Sequence, residues 1–99
     1  MSEPSPSPEQ TRLHAIVHGR VQGVGFRAAT QRTAATHRLT GWVRNRWDGT
    51  VEVIAEGSPE DVRALERFLQ RGPTAAEVTR VEAEYSAATG EFHGFNIRY

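Results

Sequence analysis

Between an alternating run at residues 13–17 and a helical stripe that begins at residue 26, the chain carries GRVQGVGFR at residues 19–27, three glycines in nine residues. Such a segment ends a strand and turns before a helix can begin, because glycine favours positive φ over continued regular structure. The rest of the chain must therefore accommodate a strand, a loop and a helix in that order. Leu13, Ala15 and Val17 form one strand face and His14, Ile16 and His18 the other. Residues 26–37 follow as a helix with Phe26, Ala29, Thr30, Thr33, Ala34 and His37 on one side. Residues 40–47, TGWVRNRW, alternate like a strand, Asp48-Gly49 is a dipeptide favoured in type I′ hairpins, and residues 50–56 return as TVEVIAE. Ser58 with Asp61 resembles a capping box, Pro59 suits the first helical position, and Val62, Leu65 and Leu69 mark a second buried stripe that stops at Gly72-Pro73. Residues 77–85 and 92–99 read as two further strands, the last with Phe95, Ile97 and Tyr99 opposite Asn96 and Arg98. The order β-α-β-β-α-β with a closing fifth strand predicts an α+β, ferredoxin-like sandwich, two helices on one face of a mostly antiparallel sheet. That fold hosts many functions, so the chemistry has to come from a site.

Composition narrows the classes. A chain of 99 residues, 37% apolar and 24% charged, has room for one core. Its domain is expected at residues 12–99. Residues 1–11, with three prolines alternating with serine, read as an extended, disordered tail. Twelve basic and twelve acidic residues cancel, so no global field draws the protein to nucleic acid or an anionic membrane. Every basic residue is Arg and cysteine is absent, which removes disulfides and thiolate metal sites. The N-terminal residues have no basic segment followed by an apolar one, and no stretch approaches the ~20 apolar residues of a membrane span. The expectation is a cytoplasmic monomer.

The glycine segment has a chemical reading beside a purely conformational one. Glycines let the backbone approach a ligand, and the first amides of the following helix point outward with the positive end of its dipole. Arg27, in the first turn, adds a fork able to bind two phosphate oxygens. Three glycines can also be simple turn chemistry. Nucleotide motifs fit poorly: a P-loop needs a lysine that the chain lacks, while Gly23, Gly25 and Ala28 match only loosely a dinucleotide fingerprint, in a chain too short for a doubly wound sheet.

The β-α-β crossover makes the first two strands parallel, so both end at one edge of the sheet, roughly 10 Å apart at ~4.8 Å per strand. Asn45 sits near that end of the second strand. Its amide offers both an acceptor and a donor, enough to orient a water and contact a phosphoryl oxygen, although a lone strand-end Asn is also a common turn former. Arg44 and Arg46 alternate to the opposite face and are expected to be solvated. His14 and His18 on one strand face are thin support for a metal.

GRVQGVGFR at residues 19–27, GWVRN at 41–45 and DGTVEV at 48–53 resemble the paired signature segments of the acylphosphatase family, a likeness that runs from about Leu13 to Tyr99. The resemblance implies a small acyl phosphate substrate, no cofactor, no metal and no phosphoenzyme. It further implies that Arg27 and the amides of Gln22, Gly23, Val24, Gly25 and Phe26 bind the phosphate and that Asn45 positions the attacking water. Two departures stand out. His37-Arg38 replaces the Leu-Gly usual at the end of the first helix, so a left-handed cap falls on a non-glycine residue. Ala28 stands where related modules of larger carbamoyl-transferring maturation proteins usually place proline. A non-enzymatic RNA-binding module of this fold is the other alternative, but an aromatic-rich binding strand is lacking.

Overall fold

In the computed structural model, which describes residues 10–99, the strand β1 (Thr11–Arg20) leads through the glycine loop into α1 (Phe26–Thr36). Then follow β2 (Thr40–Asn45), β3 (Val51–Gly57), α2 (Pro59–Arg71), β4 (Glu77–Ala87) and β5 (Phe95–Arg98). Of the tail expected at residues 1–11, residues 1–9 lie outside the described residues, Gln10 is exposed just before β1, and Thr11 already belongs to β1. The strands form one sheet in the order β4-β1-β3-β2-β5, antiparallel throughout except for the parallel pair β2–β5. The chain therefore has the expected α+β, ferredoxin-like fold.

Leu13, Ala15 and Val17 are fully buried beneath the helices with Val51, Val53 and Ala55 of β3 and Val62, Leu65 and Leu69 of α2. The opposite face of the sheet is open and carries ion pairs: His14 Nε2 lies 2.7 Å from Glu52, and Arg44 lies 2.8 Å from the same carboxylate.

Helix α2 starts as its sequence indicates. Ser58 accepts the Asp61 N–H at 3.3 Å and donates its hydroxyl to the Asp61 carboxylate at 2.9 Å, with Pro59 at the first helical position. Its end meets the first helix: Gly72 has φ +68, and a Cβ there would lie 2.5 Å from the Phe26 ring. Phe26 in turn packs on Phe68 at 6.1 Å between ring centroids, which seats the start of α1 on α2.

Helix α1 ends in a Schellman motif, with Leu39 N–H donating to Ala34 at 2.9 Å and Arg38 N–H to Ala35 at 3.0 Å. Arg38 occupies the left-handed position at φ 58, the one non-glycine residue with positive φ among those described. The left-handed region costs roughly 1–2 kcal/mol for a residue with a Cβ, partly offset by the freedom glycine gains in the unfolded chain. Arg38→Gly is therefore expected to stabilise the protein by about 1 kcal/mol, raising the thermal midpoint by roughly 4–8 °C. An unchanged or lowered midpoint would remove strain from the description of this cap.

Two local expectations differ from the structure. The β2–β3 turn is not type I′, because Asp48 does not have positive φ; only Gly49 does, at φ 93. Gly49 N–H donates to the Arg46 carbonyl at 3.1 Å and Arg46 N–H to the Thr50 carbonyl at 2.9 Å, the pattern of a three-residue loop closed by one left-handed glycine. The Asp48 carboxylate holds this form by accepting the Thr50 N–H and hydroxyl at 3.1 and 2.7 Å. The last strand is also shorter than residues 92–99. Residues 88–94 form a loop tied to the buried Glu56, whose carboxylate accepts the N–H groups of Thr89 and Gly90, each at 3.0 Å.

Candidate active site

β1 and β2 are each antiparallel to β3, so they run parallel and end at the same edge. In register, Val17 lies opposite Val51 and Val51 opposite Asn45, placing these three on one row across the sheet. Cross-strand partners share a face, and Val17 and Val51 are buried under the helices. Asn45 consequently projects toward the helical layer, beside the start of α1. Arg44, one residue earlier, goes to the open face, where it pairs with Glu52 and lies over the Trp42 ring at 5.3 Å.

The loop from β1 presents a run of amides at the same place. Gly23 and Gly25 have φ 77 and 78, and a Cβ on either would meet nothing within 4 Å. The requirement for glycine is thus the left-handed backbone, not crowding. Gly25 caps α1 without any side-chain hydrogen bond, and no acidic residue occupies the first turn. Among the described residues, no group accepts from the N–H of residues 23–28; the first helical bond runs from Ala29 N–H to Gly25 at 3.1 Å. Unpaired amides in succession at the positive end of a helix dipole form a ready anion site.

These elements enclose a cavity of about 190 Å³. Gly23, Gly25, Phe26, Arg27 and Ala28 line it together with Asn45. It is smaller than the ~300–1,000 Å³ of pockets for drug-sized ligands and suits a phosphate-sized group. Arg27 is the one charged side chain in its lining and has no carboxylate partner among the described residues; its guanidinium lies over the Tyr99 ring at 4.9 Å. Asn45 Oδ1 is buried and has no hydrogen-bond partner among the described residues. A buried acceptor left unpaired costs about 1–3 kcal/mol, and such groups concentrate where a ligand completes the network.

Of the residues expected at the site, Gly23, Gly25, Phe26, Arg27 and Asn45 line the cavity together. The side chains of Gln22 and Val24 go elsewhere: Val24 packs against the core, and Gln22 donates to two carbonyls of the β2–β3 turn. Ile97 and Tyr99 also line the cavity and were not identified from sequence. Alternation along residues 95–99 placed them on one strand face, but not beside β2. Three histidines pair with carboxylates, His14 with Glu52, His18 with Glu82 and His37 with Asp61, and none of the four lines the cavity.

Comparison with known proteins places the whole domain in one family. The family model described as acylphosphatase matches residues 13–97. A protein from Pelotomaculum thermopropionicum named acylphosphatase is 49% identical over 90 residues, covering 91% of this chain and 98% of its own. Another of that name from Pseudomonas aeruginosa is 55% identical over 86 residues, covering 87% and 93%. The crystal structure of acylphosphatase from Bacillus subtilis superimposes with a TM-score of 0.86 at 38% identity, covering 90% of this chain and 99% of that one. With similarity of this depth across nearly the whole domain, the chain belongs to the acylphosphatase family, the enzymes that hydrolyse acyl phosphates.

Proposed function

We propose that hydrolysis proceeds by direct attack of a water at phosphorus, with Arg27 and the loop amides holding the phosphoryl group and Asn45 placing the water. The observation that carries this reading is the convergence, on one small cavity, of an unpaired run of amides, one free guanidinium and one unengaged carboxamide. A carboxyl phosphate has a weakly basic carboxylate as leaving group, so little general-acid help is needed and positioning with charge stabilisation suffices. The amides of residues 22–26 and Arg27 stabilise the equatorial oxygens. The Asn45 amide holds water in line, either of its ends being available through a half-turn of the side chain. As the new P–O bond forms and the P–O bond to the acyl group breaks, the water proton passes to a phosphate oxygen and the carboxylate departs. The same reading takes the enzyme as a cytoplasmic monomer acting without nucleic acid. Its zero net charge supports the last point, since no basic field draws it to nucleic acid.

The test is hydrolysis of benzoyl phosphate, acetyl phosphate and a phosphate monoester side by side, with and without exhaustive chelation. Both anhydrides are expected to turn over, the monoester negligibly, and chelation to change nothing, since none of the proposed groups is a metal ligand. Monoester cleavage at matching rates, or a loss on chelation restored by one divalent ion, would overturn the mechanism.

A further inference from the structure

The side chain of Gln22 leaves the cavity and crosses to the neighbouring hairpin. Its Nε2 donates to the Arg46 carbonyl at 2.7 Å and to the Thr50 carbonyl at 2.9 Å. Both amide protons are thereby used, and both acceptors belong to the pair that closes the turn, where Arg46 N–H also donates to Thr50 at 2.9 Å. The hairpin end is rigid in its own right, through the Asp48 carboxylate bonds to Thr50. The other end of the link is fixed too, because Val21, next to Gln22, is 1% exposed in the core.

The position of this link matters for the site. Gln22 opens the run of loop amides, and Arg46 directly follows Asn45. The sheet itself does not join these two points, because β3 separates β1 from β2. We propose that Gln22 is a positioning residue, a strut whose two hydrogen bonds set the distance between the phosphate-holding loop and the water-placing Asn45. This rests on the roles proposed above for Arg27 and Asn45. The strut does not build the cradle, since the amides take their directions from Gly23, Gly25 and the start of α1. Its removal therefore disturbs attack geometry and spares phosphate binding. An ångström of misplacement between reacting groups costs on the order of 10²-fold in rate.

Gln22→Glu keeps the length of the side chain but sets a carboxylate against two carbonyls; Gln22→Met keeps the length and supplies no donor. Either variant, checked as folded by circular dichroism, is expected to lower kcat for benzoyl phosphate by about tenfold or more while inorganic phosphate affinity stays within about threefold. The decisive readout is a double-mutant cycle with Asn45→Ala. A strut that acts through Asn45 has nothing left to position in that background, so the Gln22 substitution should change the residual rate less than about twofold. Wild-type kcat in both Gln22 variants, losses that multiply fully with Asn45→Ala, or a collapse of phosphate affinity would each overturn the proposal. An Asn45→Ala enzyme that is itself fully active would instead refute the role of Asn45, a distinct outcome.

Discussion

Arg27→Lys should lower kcat/KM for acyl phosphates by about 30- to 1,000-fold, a loss of roughly 2–4 kcal/mol in transition-state stabilisation by analogy with deleting one oxyanion donor. Charge is conserved in this substitution, so a purely electrostatic role for Arg27 predicts little effect. The geometry predicts a large one. The guanidinium is a planar fork that lies over Tyr99 and can engage two phosphoryl oxygens at once, whereas an ammonium is a compact point charge that neither stacks as a plane nor binds in two prongs. No carboxylate competes for Arg27 among the described residues. Its fork is therefore free to meet the substrate. Steady-state kinetics on the folded variant checks this, and near-normal turnover would contradict the assignment.

The second large effect concerns stability. Glu56 is 3% exposed, and its carboxylate accepts from Arg12 Nε at 2.7 Å, from the Thr89 N–H and hydroxyl, and from the Gly90 N–H. Glu56→Ala leaves those donors without their acceptor and releases the loop that leads to β5. Breaking a buried charged network of this kind costs about 3–5 kcal/mol, a large part of the roughly 5–15 kcal/mol available to a small domain. Urea denaturation is the measurement, with Arg80→Ala as control. The Arg80–Glu82 pair is more than half exposed on both sides, and its loss should cost under about 1 kcal/mol.

Burial works to raise the Glu56 pKa, but the hydrogen bonds from Thr89, Arg12 and Gly90 outweigh it and hold the carboxyl below its ordinary 4.5. A depressed folded pKa means that the ionised carboxylate contributes its stability above about pH 4.5 and loses it as pH falls through the folded value. The gap between parent and Glu56→Ala should accordingly narrow on acidification. A gap that widens would contradict the sign of this linkage.

The network explains which parts of the fold could be read from local sequence. Ser58, Pro59, Val62, Leu65 and Leu69 specify α2 through capping and a stripe confined to 12 consecutive residues, and the structure follows them. The boundary at Gly25-Phe26 was legible for the same reason, since the left-handed cap is a property of one residue. The loop at residues 88–94 was not, because the carboxylate that shapes it lies more than 30 positions earlier in the chain. The type of the β2–β3 turn depended on where the Asp48 carboxylate bonds, which the Asp-Gly dipeptide does not reveal.

The site divides in the same way. Arg27 and Asn45 were reachable because a β-α-β crossover brings both strand ends to one edge. Ile97 and Tyr99 join the cavity only because β5 adds in parallel at the far side of β2, an edge pairing that no alternation pattern encodes. Gln22 was expected at the site for its backbone amide. Its side chain turned out to connect two segments 24 and 28 residues apart.

The central claim is a division of labour: the loop and Arg27 hold the phosphate, while Asn45 acts on a water that matters only during attack. Titrating inorganic phosphate by calorimetry into folded Asn45→Ala, with acyl phosphate turnover measured on the same preparation, tests it most directly. The account predicts a kcat lowered by about 100-fold, with phosphate affinity largely intact, because removing a group that acts only in the transition state spares ground-state binding. Phosphate affinity collapsing together with turnover would show that Asn45 builds the cradle, and unchanged turnover would remove it from the mechanism.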